Sequence, residues 1–120
     1  MIAQRPHEKL NVWRESMALA ELVYRASSEL PATESYGLIA QMQRAAVSIP
    51  SNIAEGAARG SRKEYIQFLT IARGSLSELD TQLQLSSSLG LIKDIAGVRQ
   101  KVDHVFGLLN GLLKSLRQTQ

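Results

Sequence analysis

The chain has no cysteine, 3 prolines, 8 glycines and only 5% aromatic residues among its 120 positions. Without cysteine there is no disulfide framework, no thiolate nucleophile and no thiolate zinc site. The two histidines, His7 and His104, lie far apart and outside any His-x-x-x-His pair, which counts against a histidine metal centre. No cofactor or metal is therefore expected. No apolar run reaches the roughly 18 to 20 residues that a membrane span needs. Met1 to Lys9 mixes charge with proline where a signal peptide would carry an apolar core. What is abundant is Leu and Ala, 17 and 13 of them. With 44% hydrophobic and 21% charged residues, the balance is that of an ordinary globular domain of common size. The expectation is one cytoplasmic, mostly helical domain over 1–120, with 1–9 and 118–120 as loose ends.

Apolar spacing divides the chain into four helical segments. The first runs from about Asn11 to Leu30 and carries Trp13, Met17, Ala20, Val23, Tyr24, Ser27 and Leu30 on one stripe. Pro31 stops it, because the residue before a proline is pushed out of the α region. Thr33 offers an N-cap to the second segment, which continues to about Ala58 with Leu38, Met42, Ala45, Ile49 and Ile53 as its stripe. Ser61 followed by Glu64 reads as a capping box opening the third. That helix presents Phe68, Leu69, Ala72, Leu76, Leu79 and Leu83 and ends near Ser88, where Gly90 suits a left-handed exit. The fourth carries Ile95, Val98, Val102, Val105, Phe106, Leu109 and Leu113. Short connections make successive helices antiparallel neighbours, so the fold expected is all-α, an up-down-up-down four-helix bundle.

Two features sit awkwardly in a plain bundle. Pro50 falls inside the second helix, where a proline costs about 3 kcal/mol. Apolar spacing that continues from Ile49 to Ile53 favours a kink over a break and restart. Beside it, Gln41, Arg44, Ser48, Asn52 and Glu55 recur at steps of 3, 4, 4 and 3 and so share a helix face. The third helix offers Ser75, Glu78 and Gln82 at similar spacing. This stripe is read either as a solvated face or as a structural polar network between helices or subunits. In the network reading Arg44 pairs with Glu78, and Asn52 satisfies backbone groups freed at Pro50.

Net charge is +3, and residues 59–73 account for all of it, with Arg59, Arg62, Lys63 and Arg73 against Glu64. A second basic bias covers 99–117, where Arg99, Lys101, Lys114 and Arg117 stand against Asp103.

The segment Gln41-Met-Gln-Arg-Ala-Ala-Val-Ser-Ile-Pro-Ser-Asn-Ile-Ala-Glu-Gly56 resembles the signature of a bacterial family. These are the four-helix-bundle proteins related to those encoded by intervening sequences of 23S ribosomal RNA genes. Leu10-Asn-Val-Trp13, Tyr36-Gly-Leu38, Ser61-Arg-Lys-Glu-Tyr65, Gly74-Ser-Leu-Ser-Glu-Leu79 and Leu89-Gly-Leu91 extend the match over roughly residues 10–91. The resemblance implies an antiparallel four-helix bundle assembling as a homopentamer with a central channel. It also implies a distant relation to the accessory proteins of diversity-generating retroelements, which are pentameric, basic and bind nucleic acid and a reverse transcriptase. The family has no established enzymatic activity. Its motif carries over at Gln41, Arg44, Ser48, Pro50, Asn52, Glu55 and Gly56, and at Gly74, Ser75 and Glu78.

Three function classes follow. The first is a non-enzymatic, homo-oligomeric binder of RNA or DNA, using Arg59, Arg62, Lys63 and Arg73 on phosphates without reading sequence. Its rival is a solvated loop whose cations make surface salt bridges to Glu55 and Glu64. The second is a scaffold recruiting a protein, anchored by Trp13 and Tyr24; the extra apolar face Leu108, Leu109, Leu112 and Leu113 suggests a surface buried by a neighbouring subunit. The third, an enzyme using Arg44, Asn52, Glu55 and Glu78, lacks an activated nucleophile, a phosphate-cradling loop and a metal constellation.

Overall fold

The computed structural model describes residues 2–34 and 36–118. Four helices form: α1 (Asn11–Ser27), α2 (Leu38–Ala58), α3 (Arg62–Ser88) and α4 (Ala96–Gln118). Short 3₁₀ turns at Pro6–Lys9 and Ala32–Glu34 precede α1 and α2. No strand occurs among the described residues. Of the expected loose ends, Met1, Thr119 and Gln120 lie outside the described residues, whereas His7 sets its ring 4.8 Å from that of Trp13.

Consecutive helices are antiparallel. Ser27 bonds Gln43 at one end of the α1–α2 pair, while Trp13 and Ala54 share a groove at the other. Along α2 and α3, Met42 meets Ser86, Ser48 meets Ser75, and Gly56 meets Phe68. Arg73 and Asp80 of α3 bond Asn110 and Arg99 of α4, again in reversed order. The four buried stripes form one core containing Leu19, Met42, Ile49, Leu76, Leu83 and Leu109. Each such side chain contributes about 1.5–3 kcal/mol by leaving water.

Three boundaries depart from the sequence reading. Helix α1 ends at Ser27, short of Leu30, and the chain turns through Ser28 and Glu29 before Pro31. Thr33 does not cap α2; it lies within the 3₁₀ turn, and α2 starts at Leu38 behind Gly37 with no side-chain cap. The capping box at α3 is half formed. Ser61 Oγ accepts from the Glu64 N–H at 3.1 Å, but the Glu64 carboxylate takes the Ser61 hydroxyl at 3.2 Å instead of its backbone N–H. Gly90 leaves α3 with φ +73°, a conformation that favours glycine.

The apolar stripe of α1 is a larger correction. Its buried residues are Val12, Ser16, Leu19, Val23 and Ser27. Met17 and Tyr24 are exposed, and Trp13 is half-buried. The helix thus carries two adjacent stripes, and the bulkier one faces out. Ser16 and Ser27 can lie in the core because their hydroxyls bond carbonyls of their own helix, at Val12 and Tyr24. On α4, Leu109 and Leu113 are buried and Leu108 and Leu112 pack against the core. That face is therefore not a free docking surface.

Candidate nucleic-acid interface and polar seam

Helix α2 runs unbroken through Pro50, which is buried. Pro50 cannot donate to the Ala46 carbonyl. Asn52 does not replace that donor; its Nδ2 reaches the Ser48 carbonyl at 2.8 Å and the Ser48 hydroxyl at 2.9 Å. Ser48 Oγ in turn lies 2.9 Å from Ser75 Oγ, so three stripe residues form one chain of hydrogen bonds from α2 to α3. One turn closer to the start of α2, Gln41, Arg44, Glu78 and Gln82 line a cleft of about 270 Å³. Arg44 and Glu78 form no ion pair among the described residues, as the solvated-face reading has it and the network reading does not. Both are exposed, so each keeps its hydration where a long-range pair would have to give it up. Gln82 is 8% exposed, and its Oε1 has no hydrogen-bond partner among the described residues. Glu55 leaves the stripe altogether to bond Arg59. Within the stripe, then, Ser48, Asn52 and Ser75 hydrogen-bond one another, while Gln41, Arg44 and Glu78 line open space.

The basic residues separate in the same way. Arg59 is consumed structurally: it lies 2.8 Å from Glu55 and 3.5 Å from Glu64, with its guanidinium carbon 5.0 Å from the Phe68 ring centroid. Arg73 is half-buried and donates to the Asn110 side chain at 3.0 Å, a neutral partner that leaves its charge uncompensated. Arg62 and Lys63 are exposed and make no ion pair among the described residues. They occupy the first turn of α3, where the Ser61 hydroxyl has already taken the Glu64 amide. Their attraction for an anion comes from side-chain charge more than from open helix amides. Burial pushes the nearby Tyr65 phenol up from its ordinary range, so it stays neutral.

One cluster was missed by sequence reasoning. Glu15 of α1 accepts from Lys101 Nζ at 2.7 Å and sits 3.2 Å from His104 Nδ1, joining α1 to α4. The signal available was only that Lys101 and His104 stand three residues apart on one helix face; nothing local points to Glu15. The hydrogen bond from Lys101, with the nearby positive charges, holds the Glu15 carboxyl below its ordinary range despite partial burial.

A third surface is apolar. Between α1 and α2 lies a groove of about 650 Å³ lined by Trp13, Met17, Tyr24, Val47, Pro50 and Ala54, among others. On α3, Ile71 and Leu85 are 50% and 48% exposed, and Leu89, the residue that caps its end, is 60% exposed. They share a helix face with Ser75, Glu78 and Gln82.

Together these features define an all-helical bundle with a polar α2–α3 seam, a basic start to α3 and an open apolar groove. The chain belongs to the family of 23S rRNA-intervening sequence proteins, whose family model matches residues 8–111. That span runs from the turn before α1 through most of α4 and includes the whole α2–α3 seam. No curated protein matches the chain. No described helix is long and apolar enough to cross a membrane.

Proposed function

We propose that this chain is a non-enzymatic, homo-oligomeric bundle that binds nucleic acid, RNA foremost, through phosphate contacts. The observation that carries the binding reading is the pair Arg62 and Lys63, exposed and without a carboxylate partner among the described residues while Arg59 beside them is fully engaged. Such cations release counterions from a phosphate backbone and bind it in a salt-dependent, sequence-independent way. Arg59 is assigned to the scaffold, and the binding set becomes Arg62, Lys63 and Arg73. The test is titration of fluorescent single-stranded RNA and duplex DNA at several salt concentrations. Wild type is expected to bind with a steep salt slope and Arg62→Glu, Lys63→Glu to lose binding at unchanged oligomeric mass. No binding by wild type at low salt would refute the reading.

Self-assembly is supported by the groove on the α1–α2 face and the apolar residues on α3, two unpartnered surfaces on different faces. A contact between unlike patches is heterologous and closes into a ring when its rotation permits, here a ring of five as the family resemblance implies. Light scattering of Met17→Glu and Leu85→Glu separately should give lower masses than wild type. Unchanged masses in both would remove these surfaces from the assembly. Were RNA binding absent, the same groove, with Trp13 and Tyr24 at its wall, favours recruitment of a protein partner.

A further inference from the structure

The two basic biases of the sequence, 59–73 and 99–117, lie on helices whose packing brings part of each, Arg62, Lys63 and Arg73 with Lys114 and Arg117, to one end. The antiparallel register of α3 and α4 is set by Asp80 with Arg99 and by Arg73 with Asn110. Arg62 precedes Arg73 by 11 residues, three helical turns, and so lies on the same side of α3 as Arg73 and Asp80. Arg117 follows Asn110 by 7 residues, two turns, and so keeps to the α3-facing side of α4. Continuing the register from the Arg73–Asn110 bond sets Arg117 opposite Ile66, between Arg62 and Arg73. At 1.5 Å per residue the axial steps are about 6 Å to Arg62 and about 10 Å to Arg73. Lys114 lies one turn along α4 from Arg117, and Lys63 adjoins Arg62; both are exposed.

Among the described residues no carboxylate pairs with this row. Residues 104–118 contain no Asp or Glu, and residues 65–77 contain none either. Glu64 is turned toward Arg59 and Ser61, and Glu78 lines the cleft on the α2 side. At the opposite end of the same seam, Asp80 neutralises Arg99 at 2.9 Å. One helix pair therefore has a compensated end and an uncompensated one.

We infer that Arg62, Lys63, Arg73, Lys114 and Arg117 form a single strip along the outer α3–α4 seam that takes the phosphate backbone of a nucleic acid. The inference rests on the nucleic-acid reading above and extends it to α4, where Lys114 and Arg117 supply the second half of the footprint. A backbone lying across the seam contacts both helices at once, so neither half alone accounts for the salt dependence.

The experiment compares three variants of the full chain on fluorescent single-stranded RNA: Arg62→Gln/Lys63→Gln, Lys114→Gln/Arg117→Gln, and Lys93→Gln. Lys93 is an exposed cation in the turn between α3 and α4, at the compensated end. All the substituted residues except the control lie in the strip, and thermal unfolding with light scattering verifies fold and mass. Each phosphate contact on a single strand contributes about 0.7 to the slope of log affinity against log salt, so each double variant should lower that slope by about 1.4. Lys93→Gln should leave it unchanged. If Lys114→Gln/Arg117→Gln keeps the wild-type slope while Arg62→Gln/Lys63→Gln loses it, the strip ends on α3 and the inference is wrong though RNA binding stands. An equal loss per charge in Lys93→Gln would reduce the effect to net charge and overturn the strip. Failure of wild type to bind any RNA at low salt removes the reading on which the strip rests. A duplex DNA arm, with about 0.9 per contact, separates a single-strand from a duplex footprint.

Discussion

Helices α2 and α3 meet in a way that α1 and α4 do not. The α2–α3 pair is drawn together by small residues: Gly56 stands so close to α3 that an added Cβ would lie 2.8 Å from the Phe68 Cβ, and Ser48 and Ser75 touch through their hydroxyls. Helix α4 has three glycines, Gly97, Gly107 and Gly111, yet none has any heavy atom within 4 Å of where a Cβ would be. On their outer side α1 and α4 are joined by long side chains, Glu15 with Lys101 and His104. The same residue type thus permits close packing in one pair and is unfilled surface in the other. Close approach follows from what the neighbouring helix presents, not from glycine alone.

That contrast can be broken on the α2–α3 side first. Leu76→Ala, at a fully buried core position, should destabilise the fold by about 3 kcal/mol in urea denaturation. Gly56→Ala should cost on the order of 1 kcal/mol net. Overpacking against a Cβ fixed to the α3 backbone costs about 1–3 kcal/mol, and the helix propensity gained returns at most about 1. On the α4 side the same change has the opposite sign. Gly107→Ala meets open space and should raise stability by about 0.5–1 kcal/mol, read as a higher Tm. A gain at both glycines would erase the distinction between the two pairs.

The smallest effect tests the α1–α4 clasp. Glu15 has its carboxyl pKa lowered in the folded state, first by the Lys101 hydrogen bond and then by the neighbouring charges. Its stabilising contribution is therefore present above the ordinary value of 4.5 and is lost as pH falls through the lower folded value. Wild type should exceed Glu15→Gln in stability at neutral pH, and the gap should close in acid. A gap that persists at low pH would mean the clasp is not ionic.

Most of the bundle was readable because its stripes repeat: α3 ends at Ser88 and α2 at Ala58, where the spacing places them. Helix α1 was misread because Trp13, Met17 and Tyr24 outweigh Val12, Ser16 and Leu19 in bulk and apolarity. A serine that bonds its own helix carbonyl looks polar in sequence and behaves as core. Among the basic residues, sequence could not separate Arg59 from Arg62, since both stand in one short run. Only folding turns Arg59 toward Glu55 and Glu64 while Arg62 keeps its charge uncompensated. The join of Arg73 to Asn110 spans 37 residues and leaves no local trace.

Arg59 has a further consequence through entropy. It holds the last turn of α2 by Glu55 and the first turn of α3 by Glu64, and it covers Phe68. Those three attachments leave the connection between the two helices few conformations to choose among. Arg62 and Lys63, the next cations along the chain, are thus carried on backbone that is already ordered before any ligand arrives. Within the protein, association then orders side chains and not backbone, at about 0.5–1.5 kcal/mol for each immobilised residue. Arg59 would contribute to affinity while never touching a phosphate, and Arg59→Ala should weaken binding by slowing association with the ordered form, leaving the number of released ions intact.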